Sequence, residues 1–354
     1  KIDWLWIIYA SLFDLLRKIS LCDIKAPVQQ MLKREFPNEY MRLNEWVLNQ
    51  YRSMISDDSL FSEFTIYVGQ KAGTISISDD LLPSLRVYNA AHKFSTIREM
   101  EMLEKVNEKE RFLDIKKELE EEIQPYLDLE GLQKLMTHQK SYQFLLKIEQ
   151  LRFQTRWNQT PRIPGTSVLG HSFYVAIMTL LLGRESNPLM CQRRIINNFF
   201  SALFHDLPES VTRDIISPVK QATDALPNIV KKIEDEIVNK ELVPLMEDFF
   251  VDEIIYYTSD EFSNRIFDKN KGILQVSWED LNEKYNDEAY NPVDGKLVRI
   301  CDHFSALMEA DLSIKYGISS SHLTSGREAI LNHYKPGEII NGINVNEFYK
   351  KITL

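Results

Sequence analysis

Four side chains in the second half of the sequence are of the types that hold a divalent cation. His171 opens one apolar helical run, "SFYVAIMTLLLG"; His205 and Asp206 close the next, "CQRRIINNFFSALF"; Asp302 lies within a third, "GKLVRICDHFSALMEADLSIKYG". Taken alone, His205 beside Asp206 is an ordinary helix end, because adjacent helical residues point about 100° apart. Their company changes the reading: neutral imidazoles and carboxylates supplied by several helices can share one cation, as in helix-bundle metal sites. In the third run Leu297, Ile300, Phe304, Leu307 and Leu312 trace the buried stripe, with Asp302 beside it. A carboxylate at that edge must be solvated, paired or bound to a cation. Two imidazoles with two carboxylates suit manganese, cobalt, iron, nickel or zinc, and four ligands point to one ion. A cation so held activates water for hydrolysis.

The elements that must position these donors follow a helical period. The chain has 354 residues, of which 44% are hydrophobic and 27% charged, with only 12 glycines and 13 prolines. That is the balance of a folded chain built from long helices. In the first helix Trp4, Ile8, Leu12 and Leu15 form one stripe, which reads as core packing. Residues 61–78, "FSEFTIYVGQKAGTISIS", read either as a short hairpin or as a loop between helices. From about 97 to 123 the glutamate and lysine spacing predicts an exposed, solvated helix that Pro125 ends. A boundary near residue 130 divides a mostly helical N-terminal region, residues 1–130, from the metal-bearing region, residues 131–354.

The formal net charge of −10 repels a phosphate backbone, and no basic patch offsets it, so general nucleic-acid binding is not expected. Cys22, Cys191 and Cys301 are too widely spaced for a disulfide framework or a structural zinc site, which points to a reducing, cytoplasmic setting. The apolar run "WLWIIYASLF" is about half the roughly 20 residues that a membrane span needs, and Leu21 before Cys22 does not suit export. The chain opens at Lys1 without a methionine, which leaves room for residues upstream. No Gly-rich phosphate loop and no GxSxG elbow is present, against P-loop nucleotidases and serine hydrolases.

The order His171, His205-Asp206, Asp302 resembles the HD-domain superfamily of metal-dependent phosphohydrolases, whose four metal ligands these residues match. "QTRWNQTPRIPGTSVLGHSFYVA" and "HDLPESVTRDIISPVK" are similar to stretches of the bacterial HD-domain 5′-deoxynucleotidases, with an Arg-Trp pair ahead of the first histidine and an HDxxE followed by Asp and Pro-Val-Lys. The similarity runs from about 150 to 315. It implies an all-α fold, an HD-domain helical bundle with an additional mostly helical N-terminal region. It also implies Arg156 near a substrate phosphate, Trp157 near the sugar or base, and Glu209 and Asp214 as assisting carboxylates.

Physical reasoning bears on the same residues. Glu209, four after His205, reaches a cation-activated water if the helix continues past Pro208; a new helix starting at Pro208 leaves that geometry open. Asp214 either hydrogen-bonds a ribose hydroxyl or protonates the leaving oxygen, or caps the helix before "IISPVK". A guanidinium clamp on the phosphoryl group falls first to Arg156 and second to Lys220, which reads equally as a surface lysine. Thr166 and Ser167 either contact phosphate or cap the helix of His171.

The expected function is a phosphomonoesterase that removes the 5′-phosphate of (deoxy)nucleoside monophosphates by metal-activated water. Phosphate monoesters need such apparatus, because their spontaneous hydrolysis demands up to ~10²¹-fold acceleration. Alternatives are hydrolysis of a cyclic dinucleotide, a nucleoside triphosphate or an alarmone, or nucleotide sensing without turnover. The expected partner is a small phosphate ester, with no membrane and with a homodimer as the commonest assembly. Departures from the short enzymes are the 150-residue extension, Pro208 and Arg213, the last two where those enzymes carry smaller residues.

Overall fold

Asp3 starts the first helix by accepting a hydrogen bond from the Trp6 amide, 2.9 Å away, and caps of this kind recur along the chain. The computed structural model describes residues 1–22, 24–212 and 223–352. These form two compact units, Lys1–Gln133 and Lys134–Leu354.

The first unit packs helices Trp4–Ser20, Ala26–Glu35, Pro37–Tyr51, Asp58–Ala72, Leu82–Glu104 and Leu113–Ile123. Of the stripe expected on the first helix, Ile8 and Leu12 are buried, whereas Trp4 is exposed. Residues 61–78 correct the hairpin-or-loop reading, because most of them lie in the helix Asp58–Ala72. Asp57 caps it through the Leu60 amide at 2.9 Å, and Gly73, at φ 82°, ends it in the left-handed conformation. Leu60, Phe64, Tyr67 and Val68 form its buried face, which outweighs their weak β-branched alternation. The single solvated helix expected over 97–123 is two helices, broken at Lys105 and separated by a short 3-10 turn at Lys109–Phe112. Both bury apolar residues, Ile97 and Met100 on one and Leu119 and Ile123 on the other.

In the second unit Val168–Arg184, Gln192–Phe204 and Gly295–Lys315 pack directly on one another. Two apolar clusters flank them. Leu207, just past His205 and Asp206, sits with Phe144, Leu242, Met246, Ile254 and Tyr257. Ile300, Phe304 and Leu307 sit with Tyr334, Val345 and Tyr349. The all-α expectation holds, for strands among the described residues occur only as short pieces. Asn264–Asp268 pairs antiparallel with Gly272–Gln275, Arg265 opposite Gln275, and on its other side with Val293–Asp294, Asn264 opposite Asp294. Ile339–Ile340 and Ile343–Asn344 make a hairpin whose turn, Asn341 and Gly342, has positive φ at both residues, as two-residue turns of this kind require. Among the described residues no helix is long and apolar enough to cross a membrane.

A buried polar knot sets the register of two of the three central helices. Arg194, on Gln192–Phe204, forks onto Asp294 at the mouth of Gly295–Lys315: Nε to Oδ2 and Nη2 to Oδ1 are both 2.6 Å, with both side chains fully buried. Asn198, one turn on from Arg194, donates to Asp294 Oδ2 at 2.9 Å and accepts the Asp294 amide at 2.8 Å. Asn341 donates to Asp294 Oδ1, and Asn282 accepts from Arg194 Nη1. Gly295 follows because the chain there presses on other backbone: a Cβ would stand 2.3 Å from the Ser263 carbonyl oxygen.

Removing one member of a buried ion pair leaves the other charge uncompensated, which costs about 3–5 kcal/mol. Arg194→Ala and Asp294→Ala are each expected to lower unfolding stability by about that amount. Urea titration checks this as a lower midpoint with an unchanged slope.

Candidate metal centre

Ser167 caps the helix Val168–Arg184, its Oγ accepting the Gly170 amide at 3.0 Å, so His171 stands in the first turn. Its imidazole is completely buried, and its Nδ1 lies 2.9 Å from Ser305 Oγ on the helix Gly295–Lys315. That contact turns Nε2 towards Asp302 Oδ1, 3.2 Å away. His205 follows the last residue of Gln192–Phe204. Its Nδ1 donates to the Ala202 carbonyl at 2.7 Å, because a carbonyl can only accept, and this fixes the ring with Nε2 facing the same point.

Asp206 completes the set. Its Oδ2 lies 3.3 Å from His205 Nε2 and 3.7 Å from His171 Nε2. Asp302 Oδ1 is 3.9 Å from His205 Nε2, while its Oδ2 accepts from Arg299 Nη1 at 3.0 Å. One donor atom from each of His171, His205 and Asp302 falls within 4.8 Å of the others. All four predicted ligands are thus brought to one place.

Buried polar atoms are nearly always partnered, and one that is not costs about 1–3 kcal/mol. Among the described residues His171 Nε2, His205 Nε2 and Asp206 Oδ2 are buried without a hydrogen-bond partner, and all three converge here. Two imidazole nitrogens and two carboxylates around one point fit a divalent transition-metal ion, which would partner every one of these atoms. Charge agrees with geometry. Burial pushes the Asp206 carboxyl up, but His205, His171 and Arg156 outweigh it and hold it at about 2. Asp302 is held well below the ordinary carboxylate range, burial being overcome by His171, His205 and Arg299. Burial also lowers the His205 imidazole, yet Asp206 and Asp302 raise it to about 9. His171 is lowered, by burial first and then by Arg156.

Arg156 borders the cluster on a strap tied to the start of the His171 helix. The Arg156 amide donates to the Thr166 carbonyl at 3.0 Å and the Val168 amide to the Gln154 carbonyl at 2.9 Å. Its Nη1 lies 3.7 Å from Asp206 Oδ2, and Nε lies 3.3 Å from Glu309 Oε2. Burial alone would lower the guanidinium pKa, but Glu309, Asp206, Asp302 and Glu209 together raise it, so its charge is secure. Trp157 adjoins it, the indole N–H donating to the same Glu309 oxygen at 2.9 Å.

Glu209 is buried and close enough for its charge to act on Arg156. It does not continue the His205 helix: that helix ends at Phe204, and Glu209 begins a separate short one, Glu209–Thr212. The reading of Glu209 as one turn on from His205 is therefore replaced by a tight turn, in which the Glu209 amide donates to the Asp206 carbonyl at 3.0 Å. Asp214 and Lys220 lie outside the described residues. Ser167 is a helix cap, and Thr166 Oγ1 accepts from Arg162. Ser305 and Glu309 were not legible as site residues, although they stand three and seven residues after Asp302 on one helix face, the spacing that could have revealed them.

A protein-family model described as an HD domain matches residues 148–331, slightly more than half of the chain. No curated protein matches it. Among solved structures, an HD-domain phosphohydrolase from Listeria innocua is similar at 18% identity with a TM-score of 0.43, over 60% of this chain and 86% of that one.

A metal ligand must be a neutral imidazole, whereas His205 keeps its proton up to about 9 in the free protein. Manganese or zinc added to stripped protein at pH 7.5 is therefore expected to release about one proton per chain. Affinity should climb with pH until it levels above the His205 range. Calorimetry in buffers of different ionisation enthalpy measures the release, and His205→Ala should abolish it.

Proposed function

The chain belongs to the HD-domain family, and from that membership we propose a metal-dependent phosphohydrolase whose substrate is the 5′-phosphate of a (deoxy)nucleoside monophosphate. The observation that carries the reading is the convergence of two buried imidazoles and two half-buried carboxylates, three of the four with an atom lacking a hydrogen-bond partner, beside the Arg156 guanidinium. His171, His205, Asp206 and Asp302 would hold the ion. When bound, a divalent cation supplies Lewis acidity, lowering the pKa of water towards about 7 and neutralising phosphoryl oxygens.

The chain's own residues supply orientation and charge. Ser305 and the Ala202 carbonyl fix the two imidazole rings, and Arg299 holds one oxygen of Asp302 so that the other faces the cluster. Arg156 brings positive charge beside Asp206 and would stabilise the charge that develops on a phosphoryl group held at the donors. Glu209, buried and near enough for its charge to act on Arg156, would take or return a proton. Trp157 offers an aromatic wall next to the guanidinium, which suits a nucleoside more than a bare phosphate. Asp214, an assisting carboxylate by resemblance to the 5′-deoxynucleotidases, would contact the sugar or leaving oxygen, and Lys220 is second to Arg156 as a cation for phosphate.

The test is release of inorganic phosphate from a panel of nucleoside monophosphates, using stripped protein resupplied with manganese, cobalt or zinc. Release from deoxynucleotides that needs metal, and that Asp206→Ala reduces to background, is the expected result. Release of pyrophosphate from triphosphates, or of linear nucleotides from cyclic ones, with monophosphates untouched, would replace this substrate by another phosphoester. Arg156→Ala is expected to lower kcat/KM by about 10²–10³-fold, the usual cost of removing one group that stabilises transition-state charge. Steady-state kinetics at saturating metal measures it.

A further inference from the structure

Glu309 is buried two turns beyond Asp302, and its Oε2 meets both Arg156 Nε, at 3.3 Å, and the Trp157 indole N–H, at 2.9 Å. We propose that Glu309 is the positioning residue of the substrate end of this site: one carboxylate oxygen sets the guanidinium and the indole relative to each other. The proposal rests on the phosphohydrolase reading for its consequence in turnover, though not for the contacts themselves.

Three observations carry it. By taking Nε, Glu309 leaves the terminal nitrogens of Arg156 for other partners, and Nη1 points to the cluster, 3.7 Å from Asp206. A guanidinium fixed along one edge presents the rest of its fork in a set direction. Secondly, Trp157 has φ 58°, a left-handed conformation that is unfavourable for a bulky residue and persists only where its surroundings impose it. Glu309 is one of those surroundings, and Gly326 is another. A Cβ on Gly326 would lie 2.7 Å from the indole ring, so the missing side chain is the space the ring occupies. Thirdly, Arg162 Nη1 reaches the Glu309 carbonyl at 3.4 Å, so three residues of the 156–162 segment meet this point of the helix. The competing role, orienting His171, is filled by Ser305 at 2.9 Å, whereas Glu309 Oε1 stands 3.9 Å from Nδ1.

The contacts are read first without substrate, by NMR of free protein labelled with ¹⁵N at tryptophan indoles and arginine side chains. Trp157→Phe and Arg156→Lys assign the two signals. Both N–H groups should resist exchange in the parent protein and lose at least about tenfold of that protection in Glu309→Ala, as loss of a bond to a charged acceptor implies. Glu309→Gln keeps an acceptor but no charge, so the indole should stay protected while Arg156 does not.

With the best substrate of the phosphate-release panel, Glu309→Gln should raise KM at least about tenfold, with manganese affinity unchanged. Parent-like exchange and KM in Glu309→Gln and Glu309→Ala would overturn the proposal. So would lost manganese affinity with exchange intact, which would make Glu309 a partner of His171. If the parent protein hydrolyses no ester, the functional reading falls, and the exchange result still decides whether Glu309 holds the pair. Should Glu309→Ala fail to fold, the near-isosteric glutamine variant decides alone.

Discussion

The fork between Arg194 and Asp294 is the constraint on which the rest of the second unit depends. Two 2.6 Å bonds in a fully buried setting permit one register between the helix that ends just before His205 and the helix carrying Asp302. A shift of one residue would rotate each helix by about 100° and carry a donor away from the cluster. A buried ion pair of this sort adds little net stability compared with apolar packing, since desolvation cancels much of the attraction. Its contribution is a defined arrangement, and the asparagines at 198, 264 and 341 extend that definition to the small sheet and the final hairpin.

Within that frame the metal centre is preorganised. Imidazoles and carboxylates aimed at one point oppose apolar burial, and each unpartnered atom raises the free energy of the unliganded fold. The apolar packing of Leu207 on one side and of Ile300, Phe304 and Leu307 on the other offsets that cost. Positive charge arrives from outside the donor set. Arg156 faces Asp206 and Arg299 faces Asp302, and they add to the stronger pull of His205 and His171 that keeps each half-buried carboxylate ionised. Arg156 is in turn shared with Glu309, which keeps the cation where a phosphate would need it.

The first unit has a core and a polar network of its own. Arg17 donates through Nε to Asn44 and through Nη2 to Tyr40, while Asp14 pairs with Lys18 at 2.9 Å. The helical period foretold the first helix, ran two helices together over 97–123 and failed over 61–78. There isolated β-branched residues and a glycine suggested extended chain, whereas the burial of Phe64, Tyr67 and Val68 on one face decided for helix. Local pattern yields to tertiary packing where the pattern is weak.

While the all-α fold came with the resemblance that His171, His205, Asp206 and Asp302 carry, what the sequence determined by itself was chemistry and period: which residues can hold a cation and which stripes must be buried. These are properties of residue type and of spacings of three to four, which act locally. Partner choice was decided only by the tertiary structure. Nothing in "LMEADL" tells that Glu309 meets a tryptophan 152 residues earlier, or that Asp294 receives Arg194. Nor does "HDLPES" say that the helix stops at Phe204 and restarts at Glu209. Such contacts depend on where helices distant in sequence come to rest, and that is set by the summed packing of the whole unit.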